Sequence, residues 1–277
     1  MSQSLIFLDD RYERMGAQLR DQYANAQPFP HIVIDDFLPV EVCEQLLGEF
    51  PKPDQIEWMR FEKHHSRKLA TRGGAQFGTF TRELLNQFNS FACLRFLEGL
   101  TGIDGLIPDP HFEGGGLHQI ETGGFLKVHT DFNFHSKLKL DRRINLIVYL
   151  NKDWQESYNG HLELWDRNMT QCVTKVLPIY NRCVVFSTTD WSYHGHPEKL
   201  TCPKEQTRKS LALYYYTNGR PQEEKSEVHG TMWQERPPAG PVSKVCAGML
   251  RGVASTLEGP AKLLRRLAGK FGGKKAA

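Results

Sequence analysis

The sequence predicts an α+β chain in which helices come first and an antiparallel β-sandwich or barrel with a cavity follows. Two features carry this expectation. Before residue 101 apolar residues recur at helical spacing, and from Leu106 to Thr217 short strand-like runs alternate with turn residues. A third is compositional: 277 residues, 39% hydrophobic and 24% charged, are ordinary for one large globular domain or two small ones.

Taken in order, residues 9–25 read as a mixed-charge helix with Asp9 and Asp10 at its start. Ile32-Val33-Ile34 is a β-branched run and reads as a short strand. Pro39 opens a helix through Phe50, with Val42, Leu46 and Leu47 on one face, and Pro51 and Pro53 close it. Residues 54–79 are polar and contain His64-His65 and Arg72-Gly73-Gly74, which reads as a surface loop or an active-site lid. Thr81 to Leu100 reads as one helix whose apolar stripe (Leu84, Leu85, Phe88, Phe91, Leu94, Leu97) faces the core. Eight strands are then expected: Gly116–Glu121, Gly124–His129, Ile144–Leu150, His161–Trp165, Val173–Leu177, Arg182–Ser187, Ser192–His196 and Ser210–Thr217. Gly123-Gly124, Asn159-Gly160 and Tyr180-Asn181 supply turns between them.

The domain plan is an N-terminal helix over 1–27 and a main domain over 28–220, with its β-core at about 106–218. A Pro-rich linker and basic amphipathic tail would then fill 221–277. The net charge of +3 is uneven: residues 241–277 hold eight basic residues and one acid, which leaves the body mildly acidic. That profile argues against nucleic-acid binding. In the tail, Leu263, Leu264, Leu267 and Phe271 stripe one face beside Lys262, Arg265, Arg266 and Lys270, a pattern suited to peripheral membrane contact or to a solvated tail. No apolar run reaches the length of a membrane span, and the N-terminus does not read as a secretory signal. Six scattered cysteines without a Cys-x-x-Cys pair suggest free thiols in a reducing compartment, so a cytoplasmic location is expected. The oligomeric state is left open.

Chemistry concentrates around His129-Thr-Asp131. Residues i and i+2 of a strand share a face, so one metal ion can meet both side chains. Downstream, His194 or His196 would complete a two-histidine, one-carboxylate face of the kind that holds non-haem Fe(II) with open positions. Arg208 enters an apolar strand and needs an anionic partner, which a dicarboxylate cosubstrate would supply. On the strand through Ile144, alternation puts Asn145, Ile147 and Tyr149 on one face, and the Tyr149 hydroxyl could reach the same carboxylate. His118 and Asn133 flank the motif as candidates for substrate contact.

With these residues in place, residues 117–216 resemble the 2-oxoglutarate- and Fe(II)-dependent dioxygenases, and most of all their prolyl-hydroxylase branch. The segments that carry the resemblance are His129-Thr-Asp131, Arg143-Ile-Asn145-Leu-Ile-Val-Tyr149-Leu-Asn151-Lys-Asp153-Trp154, Asn159-Gly160-His-Leu-Glu-Leu-Trp165, His194-Gly-His-Pro197 and Arg208-Lys-Ser-Leu. The resemblance implies a double-stranded β-helix (jelly-roll, cupin-like) core. It implies Fe(II) on His129, Asp131 and His194, and 2-oxoglutarate gripped by Arg208 with Tyr149 and Asn145 assisting. O2 would be the oxidant and ascorbate a stimulant. The implied reaction hydroxylates an unactivated C–H, on a prolyl residue of a protein or peptide, and releases succinate and CO2. Related halogenases carry a small residue at the carboxylate position, so Asp131 points to hydroxylation. Two departures stand out: Lys199–Gln206 reads as an insertion before Arg208, and His196 rivals His194 as third ligand. The competing readings are the same chemistry on a small molecule, a free amino acid or a saccharide, and a non-catalytic β-sandwich binding module.

Overall fold

The computed structural model describes residues 6–8 and 10–237, and its first compact unit ends at Arg236. The basic tail expected at 241–277, with its membrane or partner role, lies outside the described residues. No helix among the described residues is long and apolar enough to cross a membrane.

Four α-helices come mostly first: α1 (Asp10–Asn25), α2 (Val40–Glu49), α3 (Thr79–Phe88) and α4 (Phe91–Thr101). The strands are β1 (His31–Ile34), β2 (Met59–Lys63), β3 (Ser66–Ala70), β4 (Ile107–Pro108), β5 (Gly116–Ile120), β6 (Phe125–Thr130) and β7 (Phe134–His135). They continue with β8 (Leu140–Tyr149), β9 (Leu162–Trp165), β10 (Cys172–Val176), β11 (Arg182–Ser187), β12 (His194–His196), β13 (Arg208–Thr217) and β14 (Met232–Trp233). All pair antiparallel: ten in the order β1-β11-β8-β13-β5-β3-β6-β12-β9-β10, with β2 on β3, β4 on β13, β7 on β8 and β14 on β6. The result is a nearly closed barrel with a double-stranded β-helix core, as expected.

Each strand of the broad half of the sheet presents two different faces. Ile144, Leu146 and Val148 of β8, Leu211, Leu213 and Tyr215 of β13, and Leu117 of β5 pack outward into one apolar core with Tyr12, Phe88, Phe96 and Leu97 of the helices. The alternate residues, Tyr149 of β8 with Val184 and Phe186 of β11, turn inward and pack with Leu162 and Leu164 of β9. Period-2 alternation therefore separates a helix-facing core from a barrel interior. Helix α1 lies close against α4: a Cβ on Gly16 would meet the Phe96 carbonyl oxygen at 2.5 Å, so the crossing needs glycine there.

The structure corrects three expectations. The helix expected over 81–100 is two helices, because Asn89-Ser90 break it and the Ser90 Oγ caps α4 by accepting from the Cys93 N–H. The segment 54–79 contains the hairpin β2–β3, and β3 joins the two halves of the barrel by pairing with both β5 and β6. Its runs Met-Arg-Phe-Glu-Lys and Ser-Arg-Lys-Leu-Ala are too polar to signal strand, because an edge strand and the strand that closes a polar interior need little apolar surface. The third concerns residues 221–236, expected as linker. Trp233 pairs with His129, Met232 pairs with Thr130, and Arg236 ion-pairs with Glu198 at 2.7 Å.

Helix α3 is capped from a distance. Its N-cap residue, Gly78, has no side chain, and the Glu49 carboxylate at the end of α2 accepts from the Thr81 N–H (2.8 Å), the Thr81 hydroxyl (2.8 Å) and the Phe80 N–H (3.1 Å). Burial pushes the Glu49 carboxyl up, but the bonds from Thr81 and Phe80 and the charge of Arg82 outweigh it and hold it below its ordinary 4.5. A folded-state value below the unfolded one means that this stabilisation is complete above the unfolded value and is lost as pH falls through the folded one. Glu49→Gln is expected to cost about 1 kcal/mol near neutral pH, and the deficit should shrink in acid. Melting curves of both proteins across that pH range check this, and a deficit that does not change with pH refutes it.

Candidate active site

The site forms where β6 and β12 run side by side. His129 of β6 and His194 of β12 are register partners, so both rings leave the same face, with centroids 4.5 Å apart. This close approach needs Gly195, whose Cβ would meet the Lys127 carbonyl oxygen at 2.8 Å. Asp131 follows His129 by two residues and lies between the rings, with Oδ1 3.6 Å from His129 Nε2 and Oδ2 3.5 Å from His194 Nε2. One donor atom from each of these three residues lies within 4.8 Å of the others, and they form the one such triad of metal-binding type among the described residues. His196 is not in it.

The donor set fits a divalent metal. His129 Nδ1 lies 2.9 Å from the Lys127 carbonyl and His194 Nδ1 2.9 Å from the Ser192 carbonyl. A carbonyl only accepts, so each Nδ1 carries the proton and each Nε2 lone pair is free to ligate. Burial, and then the neighbouring His129, push the His194 imidazole down to about 4, so it is neutral at physiological pH. Burial would raise the Asp131 carboxyl, but Arg142, His194 and His129 hold it well below the usual carboxylate range. It stands ready as an anionic ligand.

Arg142 was not among the residues that sequence reasoning singled out. It is 1% exposed, donates to Asp131 Oδ2 at 2.9 Å and to Asn145 Oδ1 at 2.7 Å, and stacks 3.5 Å from the Tyr214 ring centroid and 4.4 Å from that of Phe132. Strand alternation alone would send it away from Asn145. A register break in the β8–β13 pairing, where Tyr215 meets Ile144 but Tyr216 meets Arg142, turns it inward. Asn145 donates to the same Asp131 oxygen at 2.7 Å. The Asn145 amide, expected to assist with the cosubstrate, is bonded to Asp131 and Arg142 and orients the carboxylate.

Arg208 and Tyr149 lie inside the same barrel. Arg208 is 5% exposed; its Nε donates to the Gly160 carbonyl at 2.8 Å and its Nη2 to the Tyr149 hydroxyl at 3.2 Å. The approach requires the Asn159-Gly160 turn, where both residues have positive φ and a Cβ on Gly160 would meet Arg208 Cδ at 3.0 Å. Burial lowers the Arg208 guanidinium below its ordinary value, and no carboxylate among the described residues pairs with it. Burial also raises the Tyr149 phenol, which stays protonated. Since its oxygen accepts from Arg208, its O–H remains to be donated.

Lys68 on β3 and His118 on β5 complete this interior. Burial pushes the Lys68 ammonium down to about 8, with Asp131, Arg142 and Arg208 the charges that act on it. His118 donates to the Gly114 carbonyl at 3.0 Å, and burial pushes it well below its ordinary value, with Lys68, Arg208 and Asp131 the charges acting on it. Asn133 has another task. Its amide donates to Ser226 Oγ (3.1 Å) and to the Glu227 carbonyl (2.8 Å), and accepts from the His229 N–H (2.9 Å). It fastens residues 226–229 beside the site. Trp233 from the same segment lies 5.0 Å from the His129 ring and stacks on His65 at 4.5 Å. Arg142, Lys68 and Trp233 carry no local sequence signal, because a bulge, a polar strand and a chain reversal place them.

Residues 115–216 match the model of the 2OG-Fe(II) oxygenase superfamily. No curated protein sequence matches the chain. Among solved structures, a Pseudomonas putida prolyl-4-hydroxylase is similar at 20% identity and a TM-score of 0.52, over 74% of this chain and 100% of the other. A prolyl 4-hydroxylase structure from Phytophthora capsici is similar at 21% identity and a TM-score of 0.54, over 83% of this chain and 72% of the other. At these identities the likeness establishes the shared fold.

Proposed function

We propose that this 2-oxoglutarate-dependent dioxygenase hydroxylates a prolyl residue in a protein or peptide, with release of succinate and CO2 and with ascorbate sustaining turnover. The observation that carries the 2-oxoglutarate part is Arg208, a guanidinium enclosed in the barrel without an acid among the described residues. Such a charge is costly to keep unless a ligand pairs with it. The likeness to two prolyl 4-hydroxylase structures and the run Tyr149-Leu-Asn-Lys-Asp-Trp154 support the prolyl substrate.

In this reading His129, Asp131 and His194 would hold Fe(II) through two imidazoles and one carboxylate. The metal and 2-oxoglutarate, when bound with O2, supply the oxidation that converts C–H to C–OH. The chain's own work is placement. Arg142 and Asn145 hold Asp131 Oδ2, so that the carboxylate keeps one orientation. Arg208, its Nε spent on Gly160, turns its remaining N–H groups to the distal carboxylate, and Tyr149 adds its O–H. The apolar residues Leu162, Leu164, Val184 and Phe186 keep water from the interior.

Arg208→Ala is expected to raise the 2-oxoglutarate requirement about 100-fold or more, since a buried charged pair is lost, with metal binding unchanged. Succinate release at graded 2-oxoglutarate checks this. The acceptor is identified by mass spectrometry of proline peptides for a gain of one oxygen. Turnover on a small molecule but on no peptide moves the assignment to the small-molecule reading. An unchanged 2-oxoglutarate requirement in Arg208→Ala refutes the assignment of that residue.

A further inference from the structure

We infer that His196 is a second recognition residue for the distal carboxylate of 2-oxoglutarate, donating a ring N–H to the anion that Arg208 holds. The inference rests on the proposed 2-oxoglutarate site. His196 is 3% exposed, and both of its ring nitrogens are enclosed without a hydrogen-bond partner. A neutral imidazole has one donor and one acceptor to satisfy, and buried polar groups in folded proteins are almost always bonded. A packing role would be filled better by an aliphatic side chain. The other two imidazoles on these paired strands, His129 and His194, each have Nδ1 bonded to a carbonyl, so the orphaned ring is particular to this position.

Its placement says what it awaits. His196 follows the ligand His194 by two residues, so both face the interior. It is opposite Leu126, where a register break separates it from the His129–His194 pair. The charges that act on its ring are those of Arg208, Lys68 and His129, with Arg208 foremost. The cationic Arg208 and Lys68 therefore lie near enough to act on the ring. Arg142 and Asn145 are occupied with Asp131, but Arg208 has no acid and Lys68 no hydrogen-bond partner among the described residues. An anion spanning this space would satisfy Arg208 and the His196 N–H together. The hydrogen bond from His196 to a charged acceptor adds to affinity and fixes which end of the dicarboxylate points inward.

The test measures binding without turnover: calorimetry of 2-oxoglutarate with the Fe(II)-loaded full-length protein under nitrogen, together with Fe(II) affinity and thermal melts of the ligand-free protein. His196→Leu is expected to weaken 2-oxoglutarate about 10-fold to 100-fold, to leave Fe(II) affinity unchanged and to raise the ligand-free melting temperature, since two unsatisfied nitrogens are removed. His196→Gln, which retains a donor, should recover part of the affinity. Unchanged 2-oxoglutarate affinity in His196→Leu overturns the inference, and so does loss of Fe(II) binding, which would make His196 a ligand. An Arg208→Met control separates the two levels. If it weakens 2-oxoglutarate while His196→Leu does not, only the role of His196 falls. If neither variant changes affinity, the proposed cosubstrate site falls as well.

Discussion

Asp131→Ala is expected to abolish turnover and to weaken Fe(II) binding by more than about 100-fold, beyond what the loss of an outer-sphere partner costs a metal site. The substitution removes the anionic member of a three-donor face whose other two members are imidazoles. It also strands Arg142, which is 1% exposed and whose charge is balanced by Asp131 2.9 Å away. Breaking a buried pair from one side costs about 3–5 kcal/mol, so the alanine protein should melt earlier as well. Asp131→Asn separates the two effects. It keeps the shape and an oxygen able to accept from Arg142, so stability should be retained better while metal binding still falls. Fe(II) affinity measured beside melting curves checks both variants, and iron-dependent succinate release by Asp131→Ala would remove Asp131 from the metal face.

Arg142→Met probes the same pair from the other side, and its effect should depend on metal. Without metal, the substitution leaves a buried carboxylate with no cation and should destabilise the protein by about 3–5 kcal/mol. Bound Fe(II) supplies the missing positive charge, so the metal should stabilise Arg142→Met more than the parent protein. Asn145 still donates to Asp131 Oδ2 at 2.7 Å, so part of the orientation survives and turnover should fall about 10-fold to 100-fold. Thermal melts with and without Fe(II), in both proteins, measure this difference. An equal destabilisation in the two states would mean that Arg142 acts only by packing between Phe132 and Tyr214.

The order of elements and the chemistry-bearing strands were legible because the pattern is local. Alternation in β8 and β13 places Tyr149 and Arg208 inward, and each of the eight expected runs overlaps a strand. The donor His129-Thr-Asp131 can be read from its spacing on one strand. The choice between His194 and His196 could not be made this way, because both share a face of β12. The cross-strand register decides it, placing His194 directly opposite His129. The supports of the site escaped a local reading for the same kind of reason. Arg142 faces inward only because of a bulge, Lys68 arrives on a strand too polar to announce itself, and Asn133 faces a segment nearly a hundred residues away in sequence.

The sequence by itself determined the α+β order, the antiparallel barrel and the residue types that would hold iron and a dicarboxylate, since strand periodicity and side-chain chemistry act over a few residues. Only the tertiary structure decided which histidine stands beside Asp131, what neutralises and orients that carboxylate, and that residues 226–233 return to the strand that carries His129. These depend on register, bulges and chain return, through which distant residues meet at hydrogen-bond distance. The orphaned ring of His196 belongs to the same class, because whether a buried nitrogen has a partner is settled only when every neighbouring strand is in place.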